Sequence, residues 1–240
     1  SNTTGADNTA LGRNSLFYNT TGADNTSSGN EAMQANTTGN YNTAYGSDAL
    51  RANTTAPRNT AVGYQSLYAN TTGDNNTAIG EGSGKSNTTG HNNTFLGQDA
   101  GEANTTGLYN VSVGSDALQA NTTASNNTAV GFQSLYANTG VDNSALGYQS
   151  LWANTSGIDN SAFGRSALAL NTTGRDNNAF GYTALYANTT GNYNVAIGKE
   201  ALRFNTTAPN NTAVGYQAGY NNTTGTFNSI FGQQALSTNT

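Results

Sequence analysis

The sequence predicts an all-β fold, a parallel β-solenoid (β-roll) of fourteen seventeen-residue coils, and three observations predict it. One short unit, typified by N-T-T-A-P-R-N-T-A-V-G-Y-Q-S-L-Y-A at residues 53–69, recurs from Asn2 to Thr238. A fixed period of this length marks an array whose units contact only their neighbours. Four places in the unit never vary: Asn at position one, Thr at two, Asn at seven and Gly at eleven in all fourteen copies. Finally, the dominant residues, Asn, Thr and Gly, are poor helix formers. Only 9% of the chain is charged, too little for the high-charge kind of disorder.

Each element of the unit has its own signature. Position four is mostly Gly (Gly5, Gly22, Gly39) and otherwise Ala56, Ala124 or Ala208, followed by two freely varying residues such as Ala6-Asp7 or Leu108-Tyr109. This reads as a solvent-exposed turn. Positions seven to ten, N-T-A-V, read as a first extended segment. The Gly at eleven is its corner, requiring either positive φ or a place with no room for a Cβ. Positions twelve to seventeen, Y-Q-S-L-Y-A, read as a second extended segment. Residues 47–52, S-D-A-L-R-A, and 199–204, K-E-A-L-R-F, also fit a single helical turn. Alternation along a strand sends Val62 and Leu67 inward and Tyr64 and Tyr68 outward.

Two large apolar residues per coil make a thin core, so hydrogen-bond ladders between coils must supply much of the cohesion. Stacked amides can form such ladders along the axis. The expected columns run through Asn2, Asn8, Gly12, Asn53, Asn59, Gly63, Asn121, Asn127, Gly131, Asn205, Asn211 and Gly215. One copy, opening Asn138-Thr139-Gly140, has sixteen residues, and its deletion falls beside the Gly turn, where shortening is best tolerated. The array reads as one uninterrupted domain over residues 1–240. Ser1 and the Asn239-Thr240 pair do not read as caps, so a section of a longer fibre is expected.

Several function classes lose support. Net charge is −5 with eight scattered Lys and Arg, leaving no basic stripe for nucleic acid. There is no cysteine, and no apolar run approaches a membrane span. His91, the single histidine, lies in the variable turn, and no metal, cofactor or catalytic set is expected. Asp7, Asp24, Asp142, Asp159 and Asp176 read as solvated turn carboxylates rather than calcium ligands. The stretch Gly80-Glu81-Gly82-Ser83-Gly84-Lys85-Ser86 has the wrong spacing for a phosphate loop. The Asn-Thr-Thr triplets are formal glycosylation acceptors but are read as ladder residues. Thr at positions two and three would face opposite ways, which weighs against an ice- or lattice-binding face, the alternative reading.

The outward aromatics Tyr64, Tyr68, Phe132, Tyr136, Tyr148, Trp152, Tyr182, Tyr186, Tyr216 and Tyr220 come in pairs four apart. They are candidates for contacts between chains or with surface glycans, since aromatics carry large area with a polar tip. The half-repeats N-T-A-V-G-Y-Q-S-L-Y-A (residues 59–69) and N-V-A-I-G-K-E-A-L (residues 194–202) resemble the head repeats of trimeric autotransporter adhesins. They are also similar to the N-T-A-x-G-Y arrays of bacteriophage tail-fibre-type proteins. The resemblance implies a trimeric, parallel β-roll at a cell surface or on a virion, self-assembled and contacting a host glycan or receptor. This unit departs from the adhesin repeat in adding an N-T-T-G turn and preferring Leu where that repeat is often small.

Overall fold

The computed structural model describes residues 2–238; Ser1 and Asn239-Thr240, the ends singled out above, lie outside the described residues. The chain divides into two compact units, Ser1–Ala124 and Ser125–Thr240, each a parallel β-solenoid. In the first unit the strands are β1 (Thr9–Leu11), β2 (Thr26–Ser28), β3 (Thr43–Tyr45), β4 (Thr60–Val62), β5 (Thr77–Ile79), β6 (Thr94–Leu96) and β7 (Val111–Val113). In the second they are β8 (Thr128–Val130), β9 (Ser144–Leu146), β10 (Ser161–Phe163), β11 (Asn178–Phe180), β12 (Val195–Ile197), β13 (Thr212–Val214) and β14 (Ser229–Phe231). No helix forms among the described residues.

Within each unit, consecutive strands pair in parallel at one repeat's offset, as in Thr60↔Thr77 and Ala61↔Ala78. Side chains of one repeat position therefore form columns. The short copy keeps the register: Ala129 still faces Ala145, and Ala145 faces Ala162. Its missing residue is absorbed in the turn, where Asn138 Nδ2 donates to Gly140 O at 2.7 Å.

The structure departs from the sequence reading in three places. The second segment is neither a strand nor a helix but a run of interlocked turns. Ser66, Tyr68 and Asn70 N–H donate to Gly63, Gln65 and Leu67 O, three residues back, at 3.4, 3.3 and 3.1 Å. Gln65 (φ 54°) and Leu67 (φ 49°) occupy the third place of the first two turns, where certain turn classes demand positive φ. The alternating N–H groups left over leave the coil: Gln65 N donates to Ser47 O at 3.1 Å, Leu67 N to Ser83 O at 3.0 Å and Ala69 N to Lys85 O at 2.9 Å. The segment thus satisfies its backbone without strand geometry.

The second departure concerns direction. Val62 does not point inward; the inward residue of each three-residue strand is the middle one, and Ala44, Ala61 and Ala78 are fully buried. Position ten faces outward instead, leaving Ile79 44% and Phe163 37% exposed. Leu67 is fully buried, as its spacing predicts. Third, position four is buried rather than exposed, with Ala56 at 2%. Solvent reaches the two residues after it. The second of these sits at positive φ (Asp7 54°, Asp24 56°, Arg58 57°), which explains the abundance of Asp and Asn there, since both tolerate the left-handed region.

The core of each coil is therefore a small strand residue, a small residue at position fourteen and a Leu at fifteen. Volume is traded between these columns. Phe95 replaces the strand Ala and is fully buried, and it lies against Gly84 and Gly101, which replace Leu. A Cβ on Gly84 would sit 2.6 Å from Phe95 Cδ2. Ile230 repeats the trade against Gly219, where a Cβ would lie 2.7 Å from its Cδ1. Phe95→Ala is expected to cost about 3–5 kcal/mol through the cavity it leaves. Gly101→Leu alone destabilises by overpacking. The double variant restores the Ala/Leu pairing of neighbouring coils, so a double-mutant cycle in urea unfolding should show coupling of about 2 kcal/mol or more. Simple additivity would contradict the volume trade.

Candidate functional site

The Asn columns form the interior of the site-bearing scaffold. At position one, Asn53 Nδ2 donates to Asn36 Oδ1 at 2.8 Å and to Ala56 O at 3.1 Å. Asn121 and Asn205 repeat this with Asn104 (3.0 Å) and Asn188 (3.1 Å). At position seven the amide bridges coils differently. Asn59 N–H donates to Asn42 Oδ1, Asn76 N–H donates to Asn59 Oδ1, and Asn59 Nδ2 donates to Gly73 O, all at 2.9 Å. Asn211 does the same with Gly225 O at 2.8 Å, and Asn127 Oδ1 accepts from Asn143 N at 3.1 Å. Asn8 is half-buried, with Nδ2 on Gly22 O at 2.7 Å. Asn2, in the first coil, is exposed and accepts from Asn19 Nδ2 at 3.0 Å.

Asn53 is fully buried with both amide hydrogens engaged, so the stacked coil has no room for a glycan on this column. Thr at position two joins the ladder, as Thr54 Oγ1 donates to Thr71 O at 3.2 Å, while Thr55 beside it is exposed. The corner glycines meet both conditions set for them. Gly12, Gly63, Gly131 and Gly215 have φ of 126°, 134°, 128° and 137°, and a Cβ on Gly63 would lie 2.5 Å from Gly80 O.

The aromatic candidates fall into two surface columns, exposed at position twelve and mostly half-buried at position sixteen, and the structure separates them by unit. In the first unit Tyr64 is half exposed, and Tyr68 is held by Arg51, whose Nη1 donates to its Oη at 3.1 Å. The neighbours above and below these two tyrosines are polar or charged. In the second unit the position-twelve column is continuous. Phe132 stacks on Tyr148 with centroids 5.5 Å apart. The Arg165 guanidinium lies 5.4 Å from Tyr148 and 5.9 Å from Tyr182. Lys199 Nζ then lies 5.8 Å from Tyr182 and 5.7 Å from Tyr216. Cation and ring alternate, each cation shared between two rings.

The position-sixteen column runs alongside. Tyr136 stacks on Trp152 at 6.3 Å and 18°. Arg203 sits 5.9 Å from both Tyr186 and Tyr220, and its charge is met by Glu200 Oε1 at 2.9 Å. Between Trp152 and Tyr186 the column is interrupted by Ala169, and a cavity of about 190 Å³ opens there. Sequence reasoning missed this gap. Its signal was the Ala-Leu pair at residues 169–170, where most neighbouring copies carry an aromatic and then Ala.

A third exposed column, position ten, was also missed. It includes the parallel stack of Phe163 and Phe180, 4.9 Å apart and 1° from coplanar orientation.

The remaining polar groups are dispersed. His91 Nδ1 pairs with Asn92 Nδ2 at 2.8 Å and its ring packs on Tyr109. Among the described residues no three His, Cys, Asp or Glu side chains are grouped to hold a metal. Nor, among them, is any helix long and apolar enough to cross a membrane. Burial, with Glu102, Asp116 and Glu81 nearby, pushes the Asp99 carboxyl above its usual range, and Lys85 opposes this only in part. Compared with known proteins, the chain matches no family model, no curated protein and no solved structure.

Proposed function

We propose that this chain is a section of an extracellular fibre on a cell surface or virion, structural and adhesive rather than catalytic. Its coils hold their load through ladders, its strand face meets further copies of itself, and its aromatic columns make weak, repeated contacts with glycans. The observation that carries the reading is the outward apolar column of the strands. Position ten is apolar or aromatic in every coil but the second, which carries Ser28, and from it Leu11, Tyr45, Ile79, Leu146, Phe163, Phe180, Ile197 and Phe231 stand exposed, with the valines between them half-buried. Within each unit, an apolar file along one solenoid face is the kind of surface that protein partners cover. Recurrence along the array makes another copy of the same chain the natural partner, and three chains closing on a common axis would bury the files together.

The test is the mass of the purified chain in solution. Three times 24.7 kDa is expected, and Phe163→Asp combined with Phe180→Asp should shift the chain toward monomer. A wild-type monomer at high concentration would remove the assembly from this reading. The alternative, a lattice-binding face, rests on the outward Thr file of the first unit, Thr9 through Thr94 at position eight. The apolar column beside it, which changes size from Ser28 to Tyr45 between adjacent strands, makes an irregular surface for an ice plane. Thermal hysteresis in the same preparation would reverse that judgement.

A further inference from the structure

We propose that the gap at Ala169 is a binding slot for a single uncharged pyranose ring. The inference deepens the glycan-contact part of the fibre reading and rests on it. It is carried by the interruption of the position-sixteen column within the second unit.

The slot has an aromatic side chain on either side. Trp152 and Tyr186 occupy the same repeat position two coils apart, with Ala169 at the coil between. Coils stack at about 4.8 Å, so the backbones carrying the two rings stand roughly 10 Å apart. A flat aromatic guest touching both walls at van der Waals distance fills only about 7–8 Å. A chair-shaped ring is thicker by its axial hydrogens and spans the difference. Its C–H faces suit the electron-rich faces of Trp and Tyr, the same faces that attract cations elsewhere in these columns.

The floor and rim agree with that choice. Ala169 (5% exposed) closes the bottom beside Leu170, while Trp152 remains 37% exposed to an incoming ligand. Gln149 and Ser166 line the edge. Gln149 Nε2 is already donated to Gln133 Oε1 at 2.9 Å, which orients its own Oε1 as an acceptor. The Ser166 hydroxyl supplies a group that donates and accepts. Hydroxyls around a sugar ring can meet both. No lining residue carries a charge, which favours a neutral ring over an acidic one. The 190 Å³ cavity is below the volume of drug-sized pockets and matches one ring rather than a chain of them.

Trp152 is the only tryptophan, so fluorescence excited at the red edge of the indole band, where the thirteen tyrosines do not absorb, reports on the wall of this slot. The probes are the methyl pyranosides of glucose, galactose and mannose, with methyl glucuronide and p-cresol as charged and flat controls. At least one neutral pyranoside should give a saturable change with half-saturation on the order of 1–10 mM. Ala169→Tyr continues the column as Tyr136 and Tyr220 do, and should weaken binding at least about tenfold. Tyr186→Ala removes one wall, should weaken it severalfold, and carries the test if the Tyr variant fails to fold. Absence of saturation with every neutral pyranoside up to about 100 mM would overturn the proposal. So would undiminished binding in the folded Ala169→Tyr or Tyr186→Ala variant, or tighter binding of p-cresol or the glucuronide. The slot lies within one chain, so a monomer that binds sugar sinks only the assembly, and a trimer that does not sinks only the slot.

Discussion

Gly131→Val is expected to destabilise the second unit by at least about 3–5 kcal/mol. Gly131 has φ +128°, a backbone conformation that β-branched residues essentially do not adopt. A Cβ there would also lie 2.5 Å from Gly147 O and 2.7 Å from Gly147 C, both main-chain atoms of the next coil. Neither obstacle is a movable side chain. Relief requires parting the coils, which breaks the Gly147 N–H bond to Val130 O at 2.8 Å. Amide exchange should rise first in β8 and β9 and spread along the unit, as nearest-neighbour coupling in an array requires. Denaturant unfolding within about 0.5 kcal/mol of wild type would show that the corner tolerates a side chain and that the glycine column has another cause.

Asn160→Leu should be comparably damaging at nearly constant volume. Asn160 is fully buried. Its Nδ2 donates to Gly174 O at 2.9 Å and to Asn143 Oδ1 at 3.1 Å. Its Oδ1 accepts from Asn177 N at 3.0 Å and from Asn177 Nδ2 at 3.2 Å. Leucine strands a buried backbone N–H and a buried carbonyl, at about 1–3 kcal/mol each, so a loss of about 2–6 kcal/mol is expected. Asn160→Asp should be no milder, since it keeps the acceptor but buries a charge and loses both donors. Thr173→Ala, at an exposed neighbouring position, is the control and should stay within about 0.5 kcal/mol. Were Asn160→Leu as mild as the control, the amide column would be a passenger of the fold rather than its support.

The residues involved show why some of this was legible in advance. Asn59 and Gly63 recur without exception because their requirements, two bridging hydrogen bonds and a Cβ-free corner, come from identical neighbours above and below. Repetition in the chain is then repetition in space, and the register Thr60↔Thr77 follows directly. The direction of Val62 did not follow. A three-residue strand alternates equally well as out-in-out or in-out-in, and hydrophobicity favoured the larger residue for the inside. Space inside admits little beyond a methyl group at that position, except where Gly84 and Gly101 make room for Phe95 and Gly219 makes room for Ile230.

The second segment was misread for a related reason. A Leu flanked by outward residues has the same period whether the backbone is extended or alternates its sign of φ. The discriminating signal was present in substitution rather than in period. Gly replaces Leu in three copies, at residues 84, 101 and 219, and replaces the polar position-thirteen residue at Gly82, each at positive φ. Leu tolerates the same strain elsewhere because it is the main apolar anchor of its coil.

What the sequence determined by itself is the period, the parallel stacking and the residues that bind coil to coil, because these depend only on each unit meeting a copy of itself. Which face of each short strand is buried, and that Ala169 opens a slot between Trp152 and Tyr186, were decided by the tertiary structure. Both depend on how the coil closes on itself and on which side chains stand one and two coils away, distances that no single repeat contains.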